Sequence, residues 1–300
     1  MSSLQFFGFE REPFSNAPDS RFYFENNQHK QAQLRIRHVI DSGGGLAVIS
    51  GGIGSGKTTL ARRILDTLAP GAYEASLLVM VHSGVTPSWI LTRIAMQLGV
   101  KEPAADRMAV LKQLYDRLLE IHTEGRSAVV LIDEAQMLQT SALMEEFRGL
   151  LNLEIPGKKL LNLVFFGLPE IEECLRLDEP LAQRVAMRYH LHPLQEQETV
   201  DYIRHRLRIA GASYAMFAND AVEEIHKFSA GVPRLINTLG ANCLFEAFLN
   251  SRRVIDTPTV VRVAGDLGLT SEQINENREG VERHLSKIEE LLERLEKRRD

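Results

Sequence analysis

The octapeptide Gly51-Gly52-Ile53-Gly54-Ser55-Gly56-Lys57-Thr58 stands between an apolar run, Leu46–Ser50, and a helix-forming run that opens at Thr59. It has the spacing G-x-x-x-x-G-K-[ST] in a strand–turn–helix context. Its glycines admit the backbone angles that turn successive N–H groups inward, which makes a concave nest for phosphate oxygens. The following helix adds the partial positive charge of its N-terminus. Lys57 is placed to reach β- and γ-phosphates, and the Thr58 hydroxyl suits Mg²⁺. Residues Gly51 to Thr58, with Thr59 in the first helical turn, are therefore the candidate nucleotide-binding residues, and ATP with Mg²⁺ is the expected ligand pair.

Downstream, Val129–Ile132 is an apolar run that ends in two acids, Asp133 and Glu134. Paired carboxylates at the end of a buried strand contribute little to a fold, but in a parallel sheet that edge is where ligands bind. Asp133 is placed to hold Mg²⁺, a cation that prefers oxygen ligands and keeps part of its water shell. Glu134 stands where it can polarise an attacking water as a general base. Capping of the next helix is compatible with this role and leaves the buried strand unexplained.

Apolar runs at Leu46–Ser50, Leu77–His82, Ala128–Asp133, Leu161–Phe166 and Arg188–His192 alternate with helical material, including one long insert over Pro87–Glu124. This pattern predicts an α/β fold with a five-stranded parallel sheet covered by helices on both faces. After Pro193 the strand signal stops. Helices are expected over Glu196–Ile209, Asp220–Phe228, Arg234–Ser251 and Thr257–Leu267, a small all-α domain. The predicted organisation is an aromatic N-terminal segment (1–27) packing on the core, an α/β domain (28–192), a helical domain (193–268), and a linker with a terminal helix (269–300). In that last stretch Val281, Leu285, Ile288, Leu292 and Leu295 follow heptad spacing, a short coiled-coil-like seam. It reads either as a partner or self-association helix or as a helix folded back on its own domain.

A formal net charge of −5 gives no global basic field to attract nucleic acid. The two cysteines, Cys174 and Cys243, are far apart and read as reduced thiols. The N-terminus lacks the pattern of a signal peptide, and no apolar run reaches the length of a membrane helix. A cytoplasmic protein without a membrane span is expected, peripheral to the inner membrane only through partners.

The chain resembles the ExeA/GspA-type AAA+ ATPases of general secretion pathways and their relatives in mannose-sensitive pilus biogenesis. The resemblance is carried by Phe6–Phe24, Ser50–Leu60, Leu131–Gln136, Gly167–Ile171, Pro180–Leu194, Glu198–Leu207 and Ser229–Asn237. It implies an AAA+ P-loop core with a helical lid, ATP-dependent homo-oligomers whose sites a neighbour completes, and a role in building or positioning an envelope machine through protein partners. It also implies two further catalytic residues: Arg234, matching a lid arginine that senses the γ-phosphate, and Arg184, matching a trans-acting arginine finger. Arg184 or Arg188 reads equally as a structural interface charge. Leu168 stands where relatives carry glutamine, so the usual polar sensor of the fourth strand is missing; Asn162 is polar but lies roughly 15 Å away, at the opposite end of that strand. The N-terminal aromatics either pack over adenine or seal a core. Two other functions share such a core: a DNA-associated ATPase of the transposition-regulator or initiator kind, and a slow nucleotide switch acting through the terminal helix.

Overall fold

The computed structural model describes residues 2–17 and 19–269. They form two compact units, Glu25–Leu191 and Met1–Phe24 with the stretch from His192 onward. In chain order the elements are α1 (Ser3–Phe7), α2 (Asn27–Asp41), β1 (Leu46–Gly51), α3 (Lys57–Thr67), β2 (Tyr73–Val79), α4 (Pro87–Gln97), α5 (Arg107–Thr123), β3 (Ser127–Asp133), α6 (Ser141–Leu150), the short strands β4 (Glu154–Ile155) and β5 (Lys158–Lys159), β6 (Leu161–Gly167), α7 (Ile171–Arg176), α8 (Glu179–Ala182), β7 (Val185–Leu191), α9 (Glu196–Ile209), α10 (Asn219–Ser229), α11 (Pro233–Leu249) and α12 (Thr257–Asp266).

The first unit is an α/β fold. Its sheet has five strands in the order β2-β3-β6-β1-β7, every pair parallel. The three central strands are buried almost throughout, which is why they read as continuous apolar runs. Successive side chains point to opposite faces. Leu46, Val48, Val130, Ile132 and Phe165 meet α4, α5 and α6 on one face, where Phe147 packs edge-on to Phe165. Ala47, Ile49, Val129, Leu131, Val164 and Phe166 meet α2 and α3 on the other.

The edge strands depart from their sequence signal. β2 begins at Tyr73 and ends at Val79, several residues ahead of the apolar run at Leu77–His82. Its polar start survives because Glu74 accepts from Arg117 (3.2 Å) and Arg126 (2.6 Å). β7 begins at Val185, three residues before the predicted Arg188; half-buried and exposed positions alternate over its first half, so it does not read as an apolar run. The single insert over Pro87–Glu124 is two helices, parted at Gly99 with φ 105° and restarted by the Asp106 N-cap. The β4–β5 hairpin carries no sequence signal beyond the Pro156-Gly157 turn at its tip.

Among its described residues the second unit has helices and loops only, apart from an isolated bridge between Phe217 and Ile255. The N-terminal segment belongs to this unit. Phe7, Phe9, Phe14 and Phe22 are buried with Ile203, Leu207, Leu239 and Cys243. Buried Arg206 reaches the carbonyls of Pro13 and Ser15 and stacks 4.7 Å over Phe22. That cation satisfies two main-chain acceptors of a segment with little ladder bonding of its own, which fixes it against α9. Aromatic spacing foretold burial but not the surface that provides it. No helix of the described residues is long and apolar enough to cross a membrane. The heptad seam from Val281 to Leu295 lies outside the described residues.

Candidate active site

The phosphate-loop residues sit where β1 hands over to α3. Gly54 has φ 75° and Gly56, the N-cap of α3, φ 98°. Both are left-handed conformations that side chains resist, so the motif's glycines answer a backbone demand. Gly51 is packed as closely: a Cβ there would come 2.8 Å from Ser55 Oγ and 3.0 Å from the Leu191 carbonyl. Gly52 faces open space. Lys57 is only 6% exposed, and its ammonium donates to the Gly51 and Gly52 carbonyls, both at 2.9 Å. Ser55 Oγ is buried without a hydrogen-bond partner among the described residues. Thr58 and Thr59 are half-buried in the first turn of α3, and Ile53 is exposed at the loop tip.

The acidic pair ends β3 at the same edge of the sheet. Asp133 is 1% exposed. Its Oδ1 accepts the Glu134 N–H at 3.0 Å, while Oδ2 has no partner among the described residues. Burial pushes its carboxyl pKa up; the nearby Thr58 hydroxyl, the Glu134 N–H and the Lys57 charge pull it back. No hydrogen bond of good geometry joins Thr58 to Asp133, so that hydroxyl counts as proximity rather than a bond. An orphaned, buried carboxylate oxygen beside a threonine hydroxyl fits a divalent cation. Among the described residues no group of three or more His, Cys, Asp or Glu forms a metal cage. One carboxylate is nonetheless what a Mg²⁺ shared with phosphates requires.

Glu134 is held at φ 56°, ψ 37°, a left-handed conformation in a non-glycine residue. Its neighbour Gln136, which closes the Leu131–Gln136 motif but has no role assigned from sequence, is 6% exposed. Its amide donates to Glu134 Oε2 at 2.6 Å and accepts the Leu168 N–H at 3.0 Å. Leu168, whose side chain departs from the family pattern, therefore takes part through its backbone. His29 was also missed. It is buried at the start of α2, and a Cβ on Gly56 would lie 3.6 Å from its Nε2. Its only sequence trace is its place just after the Asn26 N-cap.

Of the remaining predicted residues, Arg184, Arg188 and Asn162 lie in the first unit away from the loop. Arg184 precedes β7, whose other end pairs with Gly51; at about 3.3 Å per residue that separates it from the loop by roughly 23 Å. Its guanidinium donates to Asn152 Oδ1 and to the Arg148 carbonyl. Burial, and then the charge of Arg184, pull the Lys159 ammonium below its usual pKa, so Arg184 belongs to a basic cluster at the far edge. Arg188 pairs with Glu172 at 3.3 Å. Asn162 lies at the start of β6 and donates to the Ala128 carbonyl. Arg234 is exposed on the second residue of α11, in the helical unit.

The family model for the AAA domain matches residues 39–175. General secretion pathway protein A of Aeromonas hydrophila is 35% identical over 277 residues, covering 90% of this chain; the chain spans 48% of that relative's length. Among solved structures, the ORC2 protein of Aeropyrum pernix in its ADPNP-ADP complexes superposes with a TM-score of 0.67 at 18% identity, over 86% of this chain and 72% of that one. Drosophila ORC bound to DNA gives 0.67 at 18%, over 90% and 67%. The RuvB Holliday junction branch migration motor of Thermotoga maritima gives 0.56 at 19%, over 87% and 75%. At these identities the solved structures speak to the fold alone. Fold, motif spacing and the long match converge on an AAA+ P-loop ATPase domain, in a chain similar along most of its length to general secretion pathway protein A.

Proposed function

We propose that this protein binds and hydrolyses Mg·ATP and couples that cycle to the assembly or positioning of a bacterial envelope machine, of the type II secretion or type IV-like pilus class. The observation that carries the ATPase reading is the buried Lys57 loop and the buried, half-partnered Asp133 at one edge of one sheet. Backbone N–H groups of Gly52 to Thr58 and the Lys57 ammonium would bind the phosphates. Thr58 and Asp133 would hold Mg²⁺, which when bound neutralises phosphate charge. Glu134 takes the proton of the attacking water. Arg184, too far from its own loop to serve it, acts on the site of a neighbouring copy, where one such cation is worth several kcal/mol, roughly 10³-fold or more in rate. Arg234 reports the γ-phosphate from the helical unit.

The envelope role rests on the similarity to general secretion pathway protein A, whose remaining half lies beyond the match. In this reading the protein works in the cytoplasm, with a protein partner and as an ATP-dependent homo-oligomer. The test is steady-state turnover of the purified protein with and without duplex DNA, beside Lys57→Ala. Turnover that rises steeply with protein concentration, ignores DNA and vanishes in the variant is expected. Parent-like Mg·ATP cleavage by Lys57→Ala would refute the ATPase reading. Strong, salt-sensitive stimulation by DNA would move the protein to the DNA-associated class.

A further inference from the structure

Gln136 is the buried side chain that the motif at this edge does not explain. An amide this deep must satisfy its oxygen and both N–H bonds or cost stability. Its orientation is dictated by its neighbours. The Leu168 N–H is a donor only, so Gln136 Oε1 faces it, at 3.0 Å. The Nε2 end is then turned toward Glu134, whose Oε2 it meets at 2.6 Å. A donor bound to an ionised carboxylate at that distance is a charge-assisted bond, about twice as strong as a neutral one. Glu134 Oε1 has no bond of its own among the described residues. One oxygen is thus tied back and the other left for a water.

The same contact reaches the end of β6, which lies between β1 and β3 in the sheet. Gly167 has no room for a side chain: a Cβ would come 3.1 Å from Gln136 Oε1 and 3.2 Å from its backbone nitrogen. The approach of β6 to Gln136 therefore depends on glycine at 167 and on a free N–H at 168. It does not depend on which side chain stands at 168, and that explains how leucine is accommodated there.

We propose that Gln136 is a positioning residue: its amide fixes the Glu134 carboxylate for attack on the γ-phosphate and ties it to the backbone at the end of β6. This rests on the ATPase reading above. Gln136 acts through Glu134 and touches no reacting atom. Misplacement of a catalytic group by about 1 Å costs up to about 100-fold.

The test uses Gln136→Met, which keeps length and loses both bonds, in parent and Glu134→Ala backgrounds. The expected result is kcat lowered by about 10- to 100-fold at unchanged KM and unchanged affinity for a fluorescent Mg·ATP analogue. In the Glu134→Ala background the further loss shrinks to less than about twofold, because groups acting as a unit are not additive. An equal loss in both backgrounds overturns the proposal. Nuclear magnetic resonance of the nucleotide-free protein gives a reading independent of turnover. The Gln136 side-chain amide protons should be protected from exchange and should shift and lose protection in Glu134→Ala but not in Lys57→Ala. Amide signals like those of exposed glutamines, or indifferent to Glu134→Ala, overturn it as well. A parent that never hydrolyses Mg·ATP yet shows this coupling would sink the ATPase reading while leaving the Gln136–Glu134 tie in place.

Discussion

Replacing Asp133 with asparagine should make the metal-free protein more stable while destroying its activity. The carboxylate is 1% exposed, one oxygen bonds the Glu134 N–H, and the other has no partner. Leaving a buried polar atom unsatisfied costs about 1–3 kcal/mol, and more when it is charged. Asparagine keeps the Oδ1 acceptor and removes the charge, but still has an amide to satisfy beside Thr58. The net gain is therefore set at about 1–2 kcal/mol. For a unit the size of Glu25–Leu191 each kcal/mol moves Tm by about 2–4 °C, so the variant should melt roughly 2–8 °C higher in chelator at neutral pH. The sign with pH follows from the direction of the shift. Burial raises the folded-state pKa of Asp133. Its contribution to stability is thus fully present below the ordinary carboxylate pKa and is lost as pH rises through the raised value. The advantage of asparagine should accordingly shrink on acidification. Mg·ATP reverses the order, since a ligand at about 100 times its Kd stabilises the parent by about 2.7 kcal/mol and the variant has lost the metal ligand. Calorimetry in chelator and in Mg·ATP checks both halves. A variant that melts no higher than the parent in chelator would refute the reasoning.

The thiols and the helical unit give two further tests. Burial holds Cys243 up at about 12 and raises Cys174 too, so neither should react with a thiol reagent at pH 8 until the protein is unfolded; a fast-labelling thiol in the native protein contradicts this. In the helical unit a Cβ on Gly240 would come 2.9 Å from the Phe14 ring. Gly240→Ala should therefore destabilise, with overpacking of about 1–3 kcal/mol outweighing a helix-propensity gain of about 1 kcal/mol. Phe14→Ala should cost about 3–5 kcal/mol. In that background Gly240→Ala should turn neutral or stabilising. An equal cost in both backgrounds, measured by denaturant unfolding, would break the account.

What could be read from the sequence follows from how local each cause is. The phosphate loop was legible because the demand for glycine at 54 and 56 and the need for Lys57 both lie within eight residues. The central strands were legible because helices cover both their faces, leaving unbroken apolar runs. β2 was misplaced because Glu74 reads as polar, and its partners Arg117 and Arg126 lie 43 and 52 residues away. Gln136 stands in a recognisable motif, but its role was not legible for the same reason. Its meaning comes from Leu168, 32 residues on, and only the sheet order brings them together. The aromatic N-terminus announced its burial, but the Gly240 gap that seats Phe14 belongs to a helix more than two hundred residues later.

Where local rules are broken is itself informative. Within Glu25–Leu191 the non-glycine residue with positive φ among those described is Glu134, a conformation costing about 1–3 kcal/mol. The half-partnered Asp133, the orphaned Ser55 hydroxyl and the buried Lys57 ammonium all belong to the same edge of the sheet. At other sites in the unit, charges are matched: Glu74 with Arg117 and Arg126, Glu146 with Arg107, Asp178 with Arg148. Neutral orphans also occur at Ser76, Gln97 and Asn162, but the charged orphan, the buried ammonium and the strained non-glycine residue meet at this one edge, where a bound ligand would offset their cost. A cation on Asp133 Oδ2 and oxyanions on Ser55 and Lys57 would relieve the electrostatic part of the cost together, while the Glu134 backbone strain would remain. Ligand binding and folding of this unit are therefore coupled, and hydrogen exchange should slow on nucleotide binding most at Gly51–Thr58 and Asp133–Gln136, where those relieved groups reside.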